Sequence, residues 1–293
     1  MSSFFLNFFK KYQIVSQWTI EGDFAISIHI FNRRDVMILV FDVGNTNIEV
    51  GIFLEEFGNE KILATARRFT RREESADEFA FFVLRFLEVN NVKVDCIKKI
   101  IFSSVVPQLN FCFYHFAAKY FSQSKVIEVS SKVNLGINNK YKNPAEVGAD
   151  RLVNAAYVFY KYKCNSIIID MGTATTFCVA TKDGDYLGGA IMPGIYTSSQ
   201  ALFQKAAKLQ SVEICKQKNI MGSSTVEAVE SGIYFSNLYA ISGIIDGIKK
   251  ELGFEDCFVV GTGGYASLFA EKVFDVFDNE LAMKGLKYIA DIN

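Results

Sequence analysis

A chain of 293 residues is long enough for two domains of ordinary size and a substantial buried core. Half of its residues are hydrophobic and its net charge is −1, which leaves no electrostatic case for nucleic acid as a partner. Six scattered cysteines with no CxxC pair, and only two histidines, His29 and His115, argue against a zinc site and a disulfide scaffold; reduced thiols in a cytoplasmic protein are expected.

Residues 1–36 contain aromatic residues and lysines but no unbroken apolar run of signal-peptide or membrane-span length, so no membrane attachment is expected. They read as an amphipathic segment, a disordered leader or residues upstream of the natural start; Met37 opens the first recognisable strand, which favours the last and puts this leader outside the fold. Residues 37–53, MILVFDVGNTNIEVGIF, follow. An apolar run ends in Asp42, and a short polar link leads into a second β-rich run, so the stretch reads as a hairpin. Gly44 permits a tight turn and close approach of a ligand. Asn45 and Thr46 add donors suited to a phosphate tail, and Asp42 offers a carboxylate of the kind that holds hydrated Mg²⁺. An ordinary polar turn fits this stretch alone equally well.

A third strand is expected over residues 61–69, then a helix over 76–89, where Phe79, Phe82, Val83 and Phe86 recur at helical spacing as core residues. A strand over 98–104 is stopped by Pro107; a helix over 111–121 and a short strand over 125–129 follow. His115, among aromatics, reads as packed or exposed. A polar loop over 136–144 leads to a helix whose start carries Gly148, Ala149, Asp150 and Arg151. Helix starts favour anions, so Arg151 would take a carboxylate or phosphate and Asp150 would act as a base. A plain surface Asp–Arg pair is the competing reading.

Residues 166–181, SIIIDMGTATTFCVAT, repeat the pattern of the first hairpin: strand, Asp170, Gly172, Thr173, strand. Two such copies suggest two similar half-domains, 37–145 and 146–293, facing one another with nucleotide between them. A strand over 186–192, a helix over 195–209 and a long helix over 226–252 follow. The small residues Gly232, Ser236, Gly243 and Gly247 on the long helix would admit a close neighbour. A strand over 257–260 feeds the glycine loop GTGG, suited to an adenine or ribose face.

The set DVGNTN (42–47), YKNP (141–144), GADR (148–151), DMGTATT (170–176) and GGAIMPG (188–194) resembles type III pantothenate kinase. SSVVP (103–107), ALFQKAAKL (201–209) and STVEAVESGIY (224–234) agree in the same order, so the resemblance runs from Met37 to the C-terminus. It implies an α/β actin-like ATPase fold of the RNase H-like type, a homodimer, and phosphorylation of pantothenate by ATP with Mg²⁺, the first step towards coenzyme A. It assigns Asp42, Val43, Gly44, Asn45, Thr46, Asn47, Ile48 and Glu49, with Thr173, to ATP. Tyr141, Gly148, Ala149, Asp150, Arg151 and Thr225 would line the pantothenate pocket, with Asp150 the base. Asp170 would hold a monovalent cation, K⁺ or NH₄⁺. Three departures stand out: Cys178 where the family commonly has Asp, Met171 in place of an aromatic residue, and the leader. Two rival classes are another kinase of the same fold, against which GADR and YKNP argue, and a non-catalytic actin-like protein, against which Asp150 and Arg151 together argue.

Overall fold

The computed structural model describes residues 13–17, 27–31, 36–130, 132–206 and 209–293. β1 (Gln13–Gln17) and β2 (Ser27–Phe31) pair antiparallel in a two-stranded sheet of their own. The rest of the leader expectation lies outside the described residues.

The first compact unit runs to Val133 and takes in Leu286–Asp291 near the end of the chain. It contains β3 (Met37–Val43), β4 (Asn47–Leu54), β5 (Ile62–Phe69), α1 (Ala76–Val89), β6 (Ile97–Ser104), α2 (Pro107–Tyr120) and β7 (Lys125–Glu128). The sheet order is β5-β4-β3-β6-β7, antiparallel through the first three strands and parallel from β3 outward. β3 is apolar on both faces because it is central, whereas β5 alternates as an edge strand does. α1 starts at a capping box, with Ser75 and Glu78 satisfying each other's backbone N–H groups. Pro107, expected to stop the preceding strand, also opens α2, where a missing N–H costs nothing. Both helices bury phenylalanines against the sheet: the Phe79 and Phe113 rings lie 4.5 Å apart, at 5.5 and 5.2 Å from Phe41.

The second unit begins at Asn134. It holds β8 (Asn138–Asn139), α3 (Ala149–Tyr162), β9 (Ser166–Met171), β10 (Ala174–Ala180), β11 (Asp185–Pro193), α4 (Ile195–Lys205), α5 (Thr225–Leu252), β12 (Phe258–Thr262), the one-turn α6 (Ala270–Val273) and β13 (Val276–Phe277). The sequence places a boundary after residue 145; here the loop 134–145 goes with the second unit, because β8 pairs with β11. The sheet order, β13-β12-β9-β10-β11-β8, repeats that of the first unit: β9 takes the place of β3, β10 of β4, β11 of β5, and the parallel β12 that of β6. Ile167, Ile169, Phe177 and Val179 form the core with Tyr234, Leu238 and Ile241 of α5. α5 ends where Gly253 adopts a left-handed conformation (φ 63°).

A last helix, α7 (Leu281–Asp291), has no counterpart in the sequence reading. Its residues Leu286–Asp291 belong to the first unit, where buried Lys287 pairs with Asp291 at 2.6 Å and donates to the Glu56 carbonyl at 2.9 Å. Two related α/β units of this topology make the expected actin-like architecture.

Candidate active site

The first unit presents the hairpin loop between β3 and β4. Gly44 donates its N–H to the Asn47 carbonyl at 2.9 Å, and a Cβ on Gly44 would lie 3.0 Å from that same oxygen. Asn45 and Thr46 are exposed at the tip, whereas Val43 and Ile48 are core residues and contribute only backbone. Thr70 clamps the loop from the end of β5, its hydroxyl donating to the Gly44 carbonyl at 2.6 Å and its N–H to the Thr46 carbonyl at 2.9 Å.

Asp42 stands in a row that crosses four strands: Arg67 on β5, Glu49 on β4, Asp42 on β3 and Ser103 on β6 are successive register partners. Ser103 donates to Asp42 Oδ1 at 2.7 Å, and Arg67 donates to Glu49 Oε2 at 3.0 Å. Two carboxylates level on adjacent strands repel unless positive charge lies near them. Hard oxygen donors in that arrangement suit Mg²⁺, which takes one or two carboxylates and completes its shell with water and phosphate oxygens. Thr70, Ser103 and Arg67 were not read as site residues; strand register is the signal that finds the last two.

The second unit presents the equivalent loop. Asp170 ends β9 between Thr176 on β10 and Thr262 on β12. The Thr173 carbonyl accepts from Gly194 N–H at 3.1 Å and from the Thr197 hydroxyl at 2.7 Å, which fixes the loop to the start of α4. Gly194 must be glycine, because a Cβ there would lie 2.3 Å from the Gly172 carbonyl oxygen. The GTGG loop, read as a nucleoside platform, also packs behind this site. At Gly263 (φ +93°) a Cβ would come within 2.6 Å of Asp170 Oδ1, while Gly264 faces open space.

Asp150 and Arg151 occupy the first turn of α3, as expected. The helix is capped by Gly148, which offers no side-chain acceptor, so its leading N–H groups are left for other partners. Arg151 N–H donates to Asp150 Oδ1 at 2.8 Å. Burial pushes the Asp150 carboxyl above its ordinary value, and the Arg151 N–H and guanidinium oppose that shift without cancelling it. The Arg151 guanidinium is itself buried and lies over the Tyr141 ring, 5.7 Å from its centroid. Tyr141 is wedged against Gly188 of β11 and faces the buried Tyr186 ring at 6.4 Å. The Tyr186 hydroxyl contacts Cys178 Sγ at 3.5 Å, and burial raises that thiol to about 11.

Tyr141, Asp150 and Arg151 are therefore one cluster. Thr225 is exposed at the first turn of α5, on a groove of about 540 Å³ that it shares with Ser198 and Leu202 of α4 and Ser236 of α5. Asn154, absent from the sequence reading, is 3% exposed and donates its amide to Asp170 Oδ2 at 3.3 Å.

The family model for type III pantothenate kinase matches residues 38–247, a span that includes both loops, Tyr141, Asp150, Arg151 and Thr225. The chain belongs to the type III pantothenate kinase family. It is accordingly a pantothenate kinase, a phosphotransferase of coenzyme A biosynthesis. Among solved structures, a conserved putative Baf family transcriptional activator from Campylobacter jejuni matches with a TM-score of 0.50 and 20% identity, over 87% of this chain and 98% of that one. That likeness supports the fold. An ethanolamine utilization protein EutJ from Carboxydothermus hydrogenoformans is similar at a TM-score of 0.49 and 13% identity, over 86% and 89% of the two chains. An inorganic polyphosphate/ATP-glucomannokinase from an Arthrobacter strain is similar at 0.48 and 15%, over 88% and 100%. No helix among the described residues is long and apolar enough to cross a membrane.

Proposed function

We propose that this pantothenate kinase transfers the γ-phosphoryl group of ATP to the pantothenate hydroxyl, giving 4'-phosphopantothenate, with Asp150 as the base. The observation that carries this reading is the state of Asp150: its carboxylate is positioned at a helix start by the Arg151 N–H and raised by burial, which strengthens it as a proton acceptor. The proton of the attacking hydroxyl passes to an Asp150 carboxylate oxygen as its oxygen bonds to phosphorus and ADP leaves. Phosphoryl transfer asks a protein for positioning and charge compensation more than for a covalent nucleophile.

In this reading the loop from Asp42 to Glu49, with Thr173, takes the ATP phosphates, and Asp42 with Glu49 would hold Mg²⁺. Mg²⁺ would neutralise charge on the transferring group. Tyr141, the Gly148–Ala149 backbone, Arg151 and Thr225 bind pantothenate, with Arg151 facing its carboxylate. Asp170 would hold K⁺ or NH₄⁺, and the protein works as a cytoplasmic homodimer with two RNase H-like domains, the residues before Val36 lying outside them.

An ATP-dependent phosphorylation assay offering pantothenate beside pantetheine and a few sugars tests the proposal. Phosphopantothenate and ADP in equal amounts are expected. Preferential phosphorylation of a sugar, or turnover with another phosphate donor and none with ATP, would overturn it.

A further inference from the structure

Asn154 follows Asp150 by one turn of α3, so the two side chains share a face of the helix. That face joins the base to the second-unit phosphate loop, because Asn154 Nδ2 donates to Asp170 Oδ2 at 3.3 Å. A carboxylate only accepts hydrogen bonds, so the amide nitrogen must face Asp170 and the amide oxygen must point elsewhere. That oxygen, Oδ1, is buried and has no hydrogen-bond partner.

Buried acceptors are nearly always paired, since an unpaired one forfeits its hydration with no return. The residues around Asn154 on α3 (Val153, Ala155, Ala156, Val158) are buried and apolar, so packing alone would accept an alanine or a leucine here. An asparagine that gives one hydrogen bond and leaves its oxygen orphaned next to a carboxylate fits a positively charged occupant. Potassium takes carbonyl oxygens readily, and ammonium donates to them.

We propose that Asn154 is a positioning residue that ties the base-bearing helix to Asp170, with its Oδ1 as a second protein oxygen for the monovalent cation. The inference rests on the cation reading of Asp170 proposed above. An ion held by a carboxylate on β9 and an amide oxygen on α3 fixes the strand and the helix to each other, and with them the placing of Asp150.

The test compares wild-type protein with Asn154→Ala and Asn154→Asp in KCl, NH₄Cl and NaCl at one ionic strength. Both Tm and steady-state rate are followed. Wild-type Tm should rise with K⁺ and not with Na⁺. Asn154→Ala should lose that rise and need about tenfold more K⁺ or more for half-maximal rate. Asn154→Asp keeps an oxygen but loses the amide donor, so its K⁺-dependent rise should persist while kcat falls. A folded Asn154→Ala with the wild-type K⁺ response overturns the inference, as does loss of the rise in Asn154→Asp, which decides the matter even if the alanine variant does not fold. A Tm shift that pantothenate causes, K⁺ does not, and Asn154→Ala abolishes would assign Oδ1 to the substrate and overturn the cation assignment. Wild-type protein indifferent to K⁺ in both readouts would overturn the cation reading itself, a result distinct from a responsive wild type with a responsive alanine variant.

Discussion

Asp42 and Asp170 hold the same station in two copies of one sheet. Each ends the central strand of its unit, level with a hydroxyl residue on the parallel neighbour: Ser103 for Asp42, Thr262 for Asp170. On the antiparallel neighbour the copies differ, with Glu49 opposite Asp42 and Thr176 opposite Asp170. One station thus concentrates two carboxylates and the other a single one flanked by hydroxyls. That difference is in the sense the proposed cations require, Mg²⁺ at the first and K⁺ or NH₄⁺ at the second.

If Asp42 and Glu49 share Mg²⁺, Asp42→Asn should raise the Mg²⁺ needed for half-maximal rate by about 10–100-fold. Its Tm in the absence of Mg²⁺ should be unchanged or higher, because the repulsion with Glu49 is relieved. Rates over a Mg²⁺ titration at saturating ATP, with a melting curve in chelator, check both. An unaltered Mg²⁺ requirement would remove Asp42 from the metal site.

Asp150→Asn should keep the fold and lower turnover by about two to four powers of ten. The sign of its stability effect follows from the raised carboxyl. Below the ordinary carboxylate value the buried group is neutral in both states and costs nothing. As pH rises through the folded value, only the folded state carries the burial penalty, so stability falls across that window. Asp150→Asn removes the penalty, and its Tm at neutral pH should equal or exceed the wild-type value. The same raised carboxyl should place the acid limb of kcat above the usual carboxylate range. A clear loss of Tm in the variant, or an acid limb at an ordinary carboxylate value, would contradict this account of Asp150.

Much of this was legible in the residues. Helix α1 could be read to its ends, because Ser75 caps it and its phenylalanines repeat at helical spacing. Asp42 and Asp170 were legible as strand ends ahead of glycine, and Asp150 as a charge at a helix start. The first turn of α2 was missed because a proline after a strand reads as a stop although it also fits position N1. Asn154 was invisible for another reason: a polar residue inside an apolar helical stripe carries no local mark of its partner, and Asp170 comes to it only through packing of α3 on β9. The buried Lys287–Asp291 pair of α7 lay outside the sequence reading altogether, since an i, i+4 charge pair carries no local mark of burial.

Cys178 should behave as an inert thiol. It is 2% exposed, and burial raises it to about 11, so little thiolate forms at pH 8. Alkylation of the native protein with iodoacetamide, read by peptide mass spectrometry, should label half-exposed Cys215 well before Cys178. Labelling of Cys178 at an equal rate would show an open environment around Tyr186.

Deleting residues 1–35 should leave Tm and kcat close to their full-length values. The cut keeps Val36, whose carbonyl accepts from Glu55 N–H at 2.8 Å at the base of the first hairpin. The two strands described before it pair with each other and not with either large sheet. A large fall in Tm or rate on truncation would give the segment a role in the folded enzyme.

Gly188 offers the most selective test of the proposed pantothenate pocket. Its φ of +109° is one that side-chain-bearing residues rarely adopt, and a Cβ there would lie 2.8 Å from Tyr141 Cε2. Gly188→Ala must therefore push the Tyr141 ring away from β11. That ring lies under the Arg151 guanidinium, so Arg151 loses the surface that orients it. A displacement of this size in a positioning group costs about a hundredfold in rate, and kcat/KM for pantothenate should fall by that order. If ATP phosphates are held by the loop from Asp42 to Glu49, as proposed, the substitution leaves that loop's own sequence and hairpin intact, so KM for ATP should stay within about threefold. Tyr141→Phe preserves the ring and should remain near wild type, whereas Tyr141→Leu should reproduce the Gly188→Ala defect. Equal losses for pantothenate and ATP would mean that the glycine substitution had disturbed the sheet as a whole. Unchanged kcat/KM in a folded Gly188→Ala would separate the Tyr141–Arg151 pair from substrate binding.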